Sequence, residues 1–216
     1  MNSAVRLYGE ALLAGRGAPN PVVMLSDGER FPLAVSRYLG PADAADRELL
    51  DGVSGPVLDV GCGPGRHLHA LAARGIFALG VDLSPAAVRL AVGRGGRAIV
   101  GDVFDELPGA GTWRTVLLLD GNIGIGGCPA RLLARLAALV HPKGELLVEL
   151  DPPHVRTRRL RARLERDGQA SAWFRWARVG APAVGAVARE GGLRVAEAWC
   201  AHDRWFARLR AQDGAP

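Results

Sequence analysis

The sequence predicts one doubly wound α/β domain, a mainly parallel sheet with helices on both faces. Three observations predict it. Short apolar runs alternate with segments whose apolar residues recur every three or four positions. A glycine-rich turn follows the first of those runs, and the next runs end at or just before an aspartate.

Residues 1–54 read as a cap: an N-terminal helix, a hairpin about Ser26-Asp27-Gly28, and a helix over Ala42–Leu50. Residues 55–216 read as the main domain, the two forming a single globular unit. Its predicted strands are Val57–Val60, Ala78–Val81, Ala98–Val100, Thr115–Leu119 and Glu145–Leu150. Helices over His67–Arg74, Pro85–Arg94 and Pro129–Val140 lie between them; Pro85 and Pro129 suit a first helical turn, where the missing N–H is not needed. After the fifth strand, residues 156–179 alternate about Asp167-Gly168, which predicts an inserted hairpin, with a basic helix over Arg158–Arg166 as the alternative. A helix near Ala181–Glu190 follows. Two strands, Leu193–Cys200 and Trp205–Arg210, then meet at a turn at His202-Asp203 and are expected to run antiparallel.

Length and composition narrow the function classes. A chain of 216 residues with 49% hydrophobic and 23% charged residues buries a sizeable core. Its charge-free apolar runs are too short to cross a bilayer, and Glu10 interrupts the N-terminal segment, so a cytoplasmic protein without signal peptide or membrane partner is expected. Net charge +5 raises nucleic acid as a partner, but 26 of the 27 basic residues are arginine in an Ala-, Gly- and Pro-rich chain, as a GC-rich genome would encode. Only Arg156–Arg166 concentrates them. Cys62, Cys128 and Cys200 have neither disulfide pattern nor metal-ligand spacing, and no metal is expected.

The most informative stretch is Asp59-Val60-Gly61-Cys62-Gly63-Pro64-Gly65-Arg66-His67. Its glycines let backbone approach a ligand closely, and the helix beyond offers free N–H groups. Asp82 and Leu83 follow the second strand, Asp102 and Val103 the third, and Asp120-Gly121-Asn122 the fourth. A carboxylate after the second strand suits ribose hydroxyls, and one after the third suits an adenine amine.

This order resembles a class I S-adenosylmethionine-dependent methyltransferase, closely over residues 55–150 and more loosely to about residue 210. The glycine motif fits a nicotinamide site less well, because Arg66 stands where glycine is expected. The resemblance implies a Rossmann-like sheet of order 3-2-1-4-5-7-6 with its seventh strand antiparallel, S-adenosyl-L-methionine as cofactor and S-adenosyl-L-homocysteine as product. It also resembles actinobacterial small-molecule methyltransferases of similar length. Carried over by position, it implies that Asp59 orders the loop and reaches the methionine amine. Gly61, Cys62, Gly63, Gly65, Arg66 and His67 line the methionine and ribose side. Asp82 holds the ribose hydroxyls, Leu83 packs on the adenine, and Asp102 with Val103 contacts the adenine. Asp120 and Gly121 lie near the methionine moiety.

Asp151-Pro152-Pro153-His154 resembles a [DNS]PP[YFW] motif of nucleic-acid amino methyltransferases, but it follows the fifth strand, not the fourth, and ends in His154 where an aromatic stacks on a flipped base. It reads as a rigid turn. A methyl acceptor needs alignment and, where it carries a proton, a base. His154 is the first candidate base, with Asp120 and Asn122 beside the transferred methyl. Tyr38, Asn122, His154, Trp173 and Arg175 are candidate substrate contacts. A small-molecule acceptor at oxygen, nitrogen or carbon is expected, handled by a monomer or homodimer. The rivals are an RNA or DNA methyltransferase, a protein that binds the cofactor without methylating, and a nicotinamide dehydrogenase.

Overall fold

The computed structural model describes residues 2–212; Met1 and residues 213–216, the outer ends of the two predicted segments, lie outside the described residues. In chain order the elements are α1 (Ser3–Ala14), β1 (Val22–Leu25), β2 (Arg30–Pro32), α2 (Val35–Tyr38), α3 (Ala44–Asp51), β3 (Val57–Val60), α4 (Arg66–Ala72), β4 (Ala78–Asp82), α5 (Pro85–Gly93) and β5 (Ala98–Val100). There follow β6 (Trp113–Leu118), a 3₁₀ segment (Asn122–Gly127), α6 (Pro129–Ala137), β7 (Val140–Leu150), β8 (Arg158–Arg166), β9 (Gln169–Ala170), β10 (Phe174–Arg178), α7 (Val184–Glu190), β11 (Leu193–Ala201) and β12 (Arg204–Ala211).

Seven strands form the main sheet in the order β11-β12-β7-β6-β3-β4-β5. β3 through β7 pair in parallel, while β12 runs antiparallel to both β7 and β11. Counting only these seven strands in chain order, this is the expected 3-2-1-4-5-7-6. Alternation along the buried strands sends side chains to two cores. Leu58, Val116, Leu118, Leu146 and Val148 face Leu132, Leu133 and Leu136 of α6. Val57, Leu117 and Leu147 face Leu50 of α3 and Leu68 and Leu71 of α4. Among the described residues, no helix is long and apolar enough to cross a membrane.

Both predicted hairpins form, and they join. β1 pairs with β2, β8 with β10, and β1 with β8, giving a second, antiparallel sheet. Arg158–Arg166 is therefore a strand and not the basic helix. Ala162 and Leu164 are buried on one face of it, and that face packs against Ala4 and Leu7 of α1. α6 ends at Ala137, short of the predicted Val140, which instead pairs with Trp113. Pro142 accounts for part of this, since it drives His141 away from helical geometry.

Candidate active site

The carboxyl edge of β3, β4, β5 and β6 carries the residues predicted on the cofactor side, while Tyr38, His154, Trp173 and Arg175 lie on other elements. The loop after β3 turns through left-handed glycines at Gly61 (φ 72°) and Gly63 (φ 54°). A Cβ at Gly61 would lie 2.5 Å from the Asn122 amide, whose Nδ2 donates to the carbonyls of Val60 (3.0 Å) and Gly61 (3.1 Å). Asn122 thus clamps the loop from behind. The Cys62 side chain turns inward, against Gly80, so burial pushes its thiol well up and only its backbone is offered to a ligand. Gly65 closes the loop beside Ala91 of α5, where a Cβ would meet that residue at 2.8 Å.

Asp82, ending β4, accepts from the N–H groups of Gly63 (2.9 Å) and Ser84 (2.8 Å). Burial raises its carboxyl pKa despite those two donors. Next to it Leu83 is 49% exposed, an apolar side chain with an open face. Asp102 accepts from Phe104 N (3.0 Å) in a tight turn, beside buried Val103. The cap supplies the roof. Tyr8 of α1 sets its hydroxyl 3.0 Å from where a Gly63 Cβ would stand. Burial raises the pKa of Tyr8, with Asp82 and Asp120 among the nearby charges adding to it. Tyr38 of α2 lies among Asp120, Arg66, Arg37 and Glu149, and burial likewise pushes its hydroxyl pKa up.

Asp120 follows β6 with φ 56°, a conformation Asp tolerates better than most residues but one that still carries strain. Its N–H donates to Glu149 (2.7 Å), and its carboxylate receives both Nη atoms of Arg66 (2.7 and 2.8 Å). Burial opposes ionisation there, but Arg66 outweighs it and holds the pKa low. With both oxygens on a guanidinium, Asp120 is an anchored anion, not a free proton acceptor.

Arg66 and Asp120 belong to a larger buried network. Asp46 of α3 is fully buried and receives Arg66 Nε (2.8 Å) and Arg204 Nη1 (2.8 Å), with His67 Nε2 at 3.4 Å. Arg204 of β12 grips Glu149 with two contacts of 2.8 Å, and Arg37 reaches Asp120 at 3.3 Å. His67, buried between Asp46 and Asp59, is disfavoured as a cation by burial, yet those two carboxylates raise its pKa to about 9. The side chains of Arg66 and His67 therefore look into this network; what they offer a ligand is their backbone. Asp59 Oδ2 is buried without a hydrogen bond among the described residues.

His154 is exposed on the turn after β7 and makes no hydrogen bond among the described residues; its neighbour Asp151 is taken by Arg178. Trp173 precedes β10, 40% exposed beneath the Arg163 guanidinium, and Arg175 is exposed on β10. Phe174 and Trp176, in edge-to-face contact, share the face of β10 that packs with α1 and Tyr8. Sequence reasoning missed Asp46, Glu149 and Arg204. The one available signal was charge at positions flanked by buried apolar residues, such as Glu149 between Val148 and Leu150.

Residues 57–144 match the model of a family described as a methyltransferase domain. No curated protein matches the chain. Among solved structures, a SAM-dependent methyltransferase from Bacteroides fragilis in complex with S-adenosyl-L-homocysteine is 23% identical, with TM-score 0.77, covering 97% of this chain and 93% of that one. A 1,6-didemethyltoxoflavin-N1-methyltransferase from Burkholderia thailandensis is 20% identical, with TM-score 0.58 and coverage of 79% and 78%. An amino pentose methyltransferase from Micromonospora echinaspora is 23% identical, with TM-score 0.52 and coverage of 77% and 87%.

Proposed function

We infer that this chain, which carries a methyltransferase domain on a class I methyltransferase fold, transfers the methyl group of S-adenosylmethionine to a small-molecule acceptor. The observation that carries the reading is one juxtaposition. The glycine loop after β3 is tied to the acid after β4 through Gly63 N and Asp82, and to the segment after β6 through Asn122. The residues present fit the cofactor. Asp82 offers a half-buried carboxylate for ribose hydroxyls and Leu83 an open apolar face for adenine, while Asp59 faces buried His67 at 3.6 Å. Asp102 and Val103 complete the adenine wall.

When bound, S-adenosylmethionine supplies an electrophilic methyl on a sulfonium, and S-adenosylhomocysteine leaves as product. The chain's own work is alignment and exclusion of water. Tyr8 and Tyr38 roof the cleft as neutral hydroxyls. Asp120 is fixed by Arg66 and Glu149, which keeps its charge in place at the methionine end. Where the acceptor carries a proton, His154 is the proposed base, the histidine at the β7 carboxyl end outside the buried network. His154→Ala is expected to lower turnover without altering S-adenosylhomocysteine affinity; full turnover from pH 6 to 9 would end that role.

The two hairpins, joined into one sheet that packs on α1, are the proposed acceptor-side cover, with Asn122 acting through the loop rather than on the acceptor. The cap and main domain are proposed to act as one unit in the cytoplasm. Thermal unfolding with S-adenosylhomocysteine, S-adenosylmethionine and NADH added separately tests the cofactor, because a ligand bound only by the native state adds RT ln(1 + [L]/Kd) to its stability and so raises the midpoint. A rise with the two adenosyl compounds alone is expected. A rise with NADH alone overturns the reading.

A further inference from the structure

We propose that Arg159, Arg161 and Arg175, facing the glycine turn Gly126-Gly127-Cys128, form a binding site for the phosphate or carboxylate group of a small molecule. These residues line one cavity of about 380 Å³ on the second sheet. Arg161 and Arg175 stand directly opposite each other across the β8–β10 ladder, and Arg159 is two positions along on the same face. Like charges directly opposed on a sheet repel, so this arrangement is unfavourable until an anion lies between them.

The rest of the sheet shows the contrast. Arg30 and Arg163 pair with Glu165, Arg158 with Asp27 and Glu29, Arg166 with Asp167, and Arg178 with Glu29 and Asp151. Among the described residues, Arg159, Arg161 and Arg175 have no carboxylate partner. The turn beside them is shaped to come close: a Cβ at Gly127 would lie 2.9 Å from Arg175 Cβ and 3.1 Å from Trp176 N. Three arginines that line one cavity with a backbone turn suit a compact, multiply charged oxyanion. None of the residues that line it is among those assigned to the cofactor, and the site does not depend on the methyltransferase reading. The 3₁₀ segment that ends in this turn starts directly after Asp120-Gly121, so an occupant would touch the same stretch of chain that closes the cleft.

Isothermal titration with inorganic pyrophosphate and with citrate, at constant ionic strength set by sodium chloride, tests the proposal on the full chain. The wild type is expected to bind at least one of them, and the triple variant R159Q/R161Q/R175Q to bind it about tenfold or more weakly. S-adenosylhomocysteine affinity in the same variant reports independently on the cleft and is expected to be unchanged. No saturable heat in the wild type, or equal affinity in wild type and variant, overturns the site. Tighter binding of a single-stranded oligonucleotide than of pyrophosphate, lost on the same substitutions and falling steeply with salt, would replace it with a nucleic-acid surface.

Discussion

Asp46→Ala is expected to destabilise the protein by roughly 3–5 kcal/mol, the cost of removing one partner from a buried ion cluster. The carboxylate is fully buried and touches Arg66, Arg204, Arg37 and His67. Burial alone would raise its pKa, but the His67 imidazolium at 3.4 Å and the hydrogen-bonded Arg66 guanidinium hold it far below the usual range. Without it, buried Arg66 keeps only Asp120, and His67 keeps only Asp59 at 3.6 Å. Asp46 also closes a capping box at the start of α3, a contribution of about 1 kcal/mol. Asp46→Asn preserves most of the cap and removes the charge, so it separates the two. Denaturant unfolding of both variants gives the answer: a loss of only about 1 kcal/mol in Asp46→Ala, with little or none in Asp46→Asn, would mean that the cap, and not the network, is what Asp46 supplies.

The same network sets a pH dependence. His67 has its pKa raised to about 9 in the folded chain against an ordinary value of 6.5. Its stabilisation is therefore complete below about pH 6.5 and is lost as pH rises through about 9. The wild-type unfolding midpoint should fall over that interval. His67→Gln should flatten the fall; an identical slope would assign it to other groups.

Asp82→Ala is expected to weaken S-adenosylhomocysteine binding by about 10- to 100-fold, on the order of 1–3 kcal/mol for lost charge-assisted hydrogen bonds. Two effects contribute. The ribose hydroxyls lose the acceptor proposed for them, and the Gly63 N–H loses the carboxylate that fixes the loop. Asp82→Asn keeps an acceptor for Ser84 or Gly63 without the charge, and its affinity should fall between the two. Titration calorimetry on variants with wild-type unfolding midpoints is the measurement. Unchanged affinity in a folded Asp82→Ala protein would remove Asp82 from the ligand site.

The class of fold and the carboxyl-edge acids were legible in the sequence because each rests on local chemistry. Glycines that turn the chain at Gly61 and Gly63, aspartates at strand ends and apolar alternation are readable within a few residues of one another. The family resemblance then supplied the strand order that local pattern leaves open. Each hairpin was legible for the same reason, from Ser26-Asp27-Gly28 and Asp167-Gly168. Their union was not: Met24 pairs with Arg163, and nothing in either segment names the other. The tertiary structure alone decided what the site side chains do. It turned Cys62 inward, placed Asn122 behind the loop and put Arg66 between Asp46 and Asp120. It also drew Glu149 and Arg204 into the same cluster, with Arg204 meeting Asp46 across 158 positions of chain. A charge's partner inside a core is set by which surfaces pack together, and low local dielectric makes that choice energetically decisive. Short-range pattern carries no record of it.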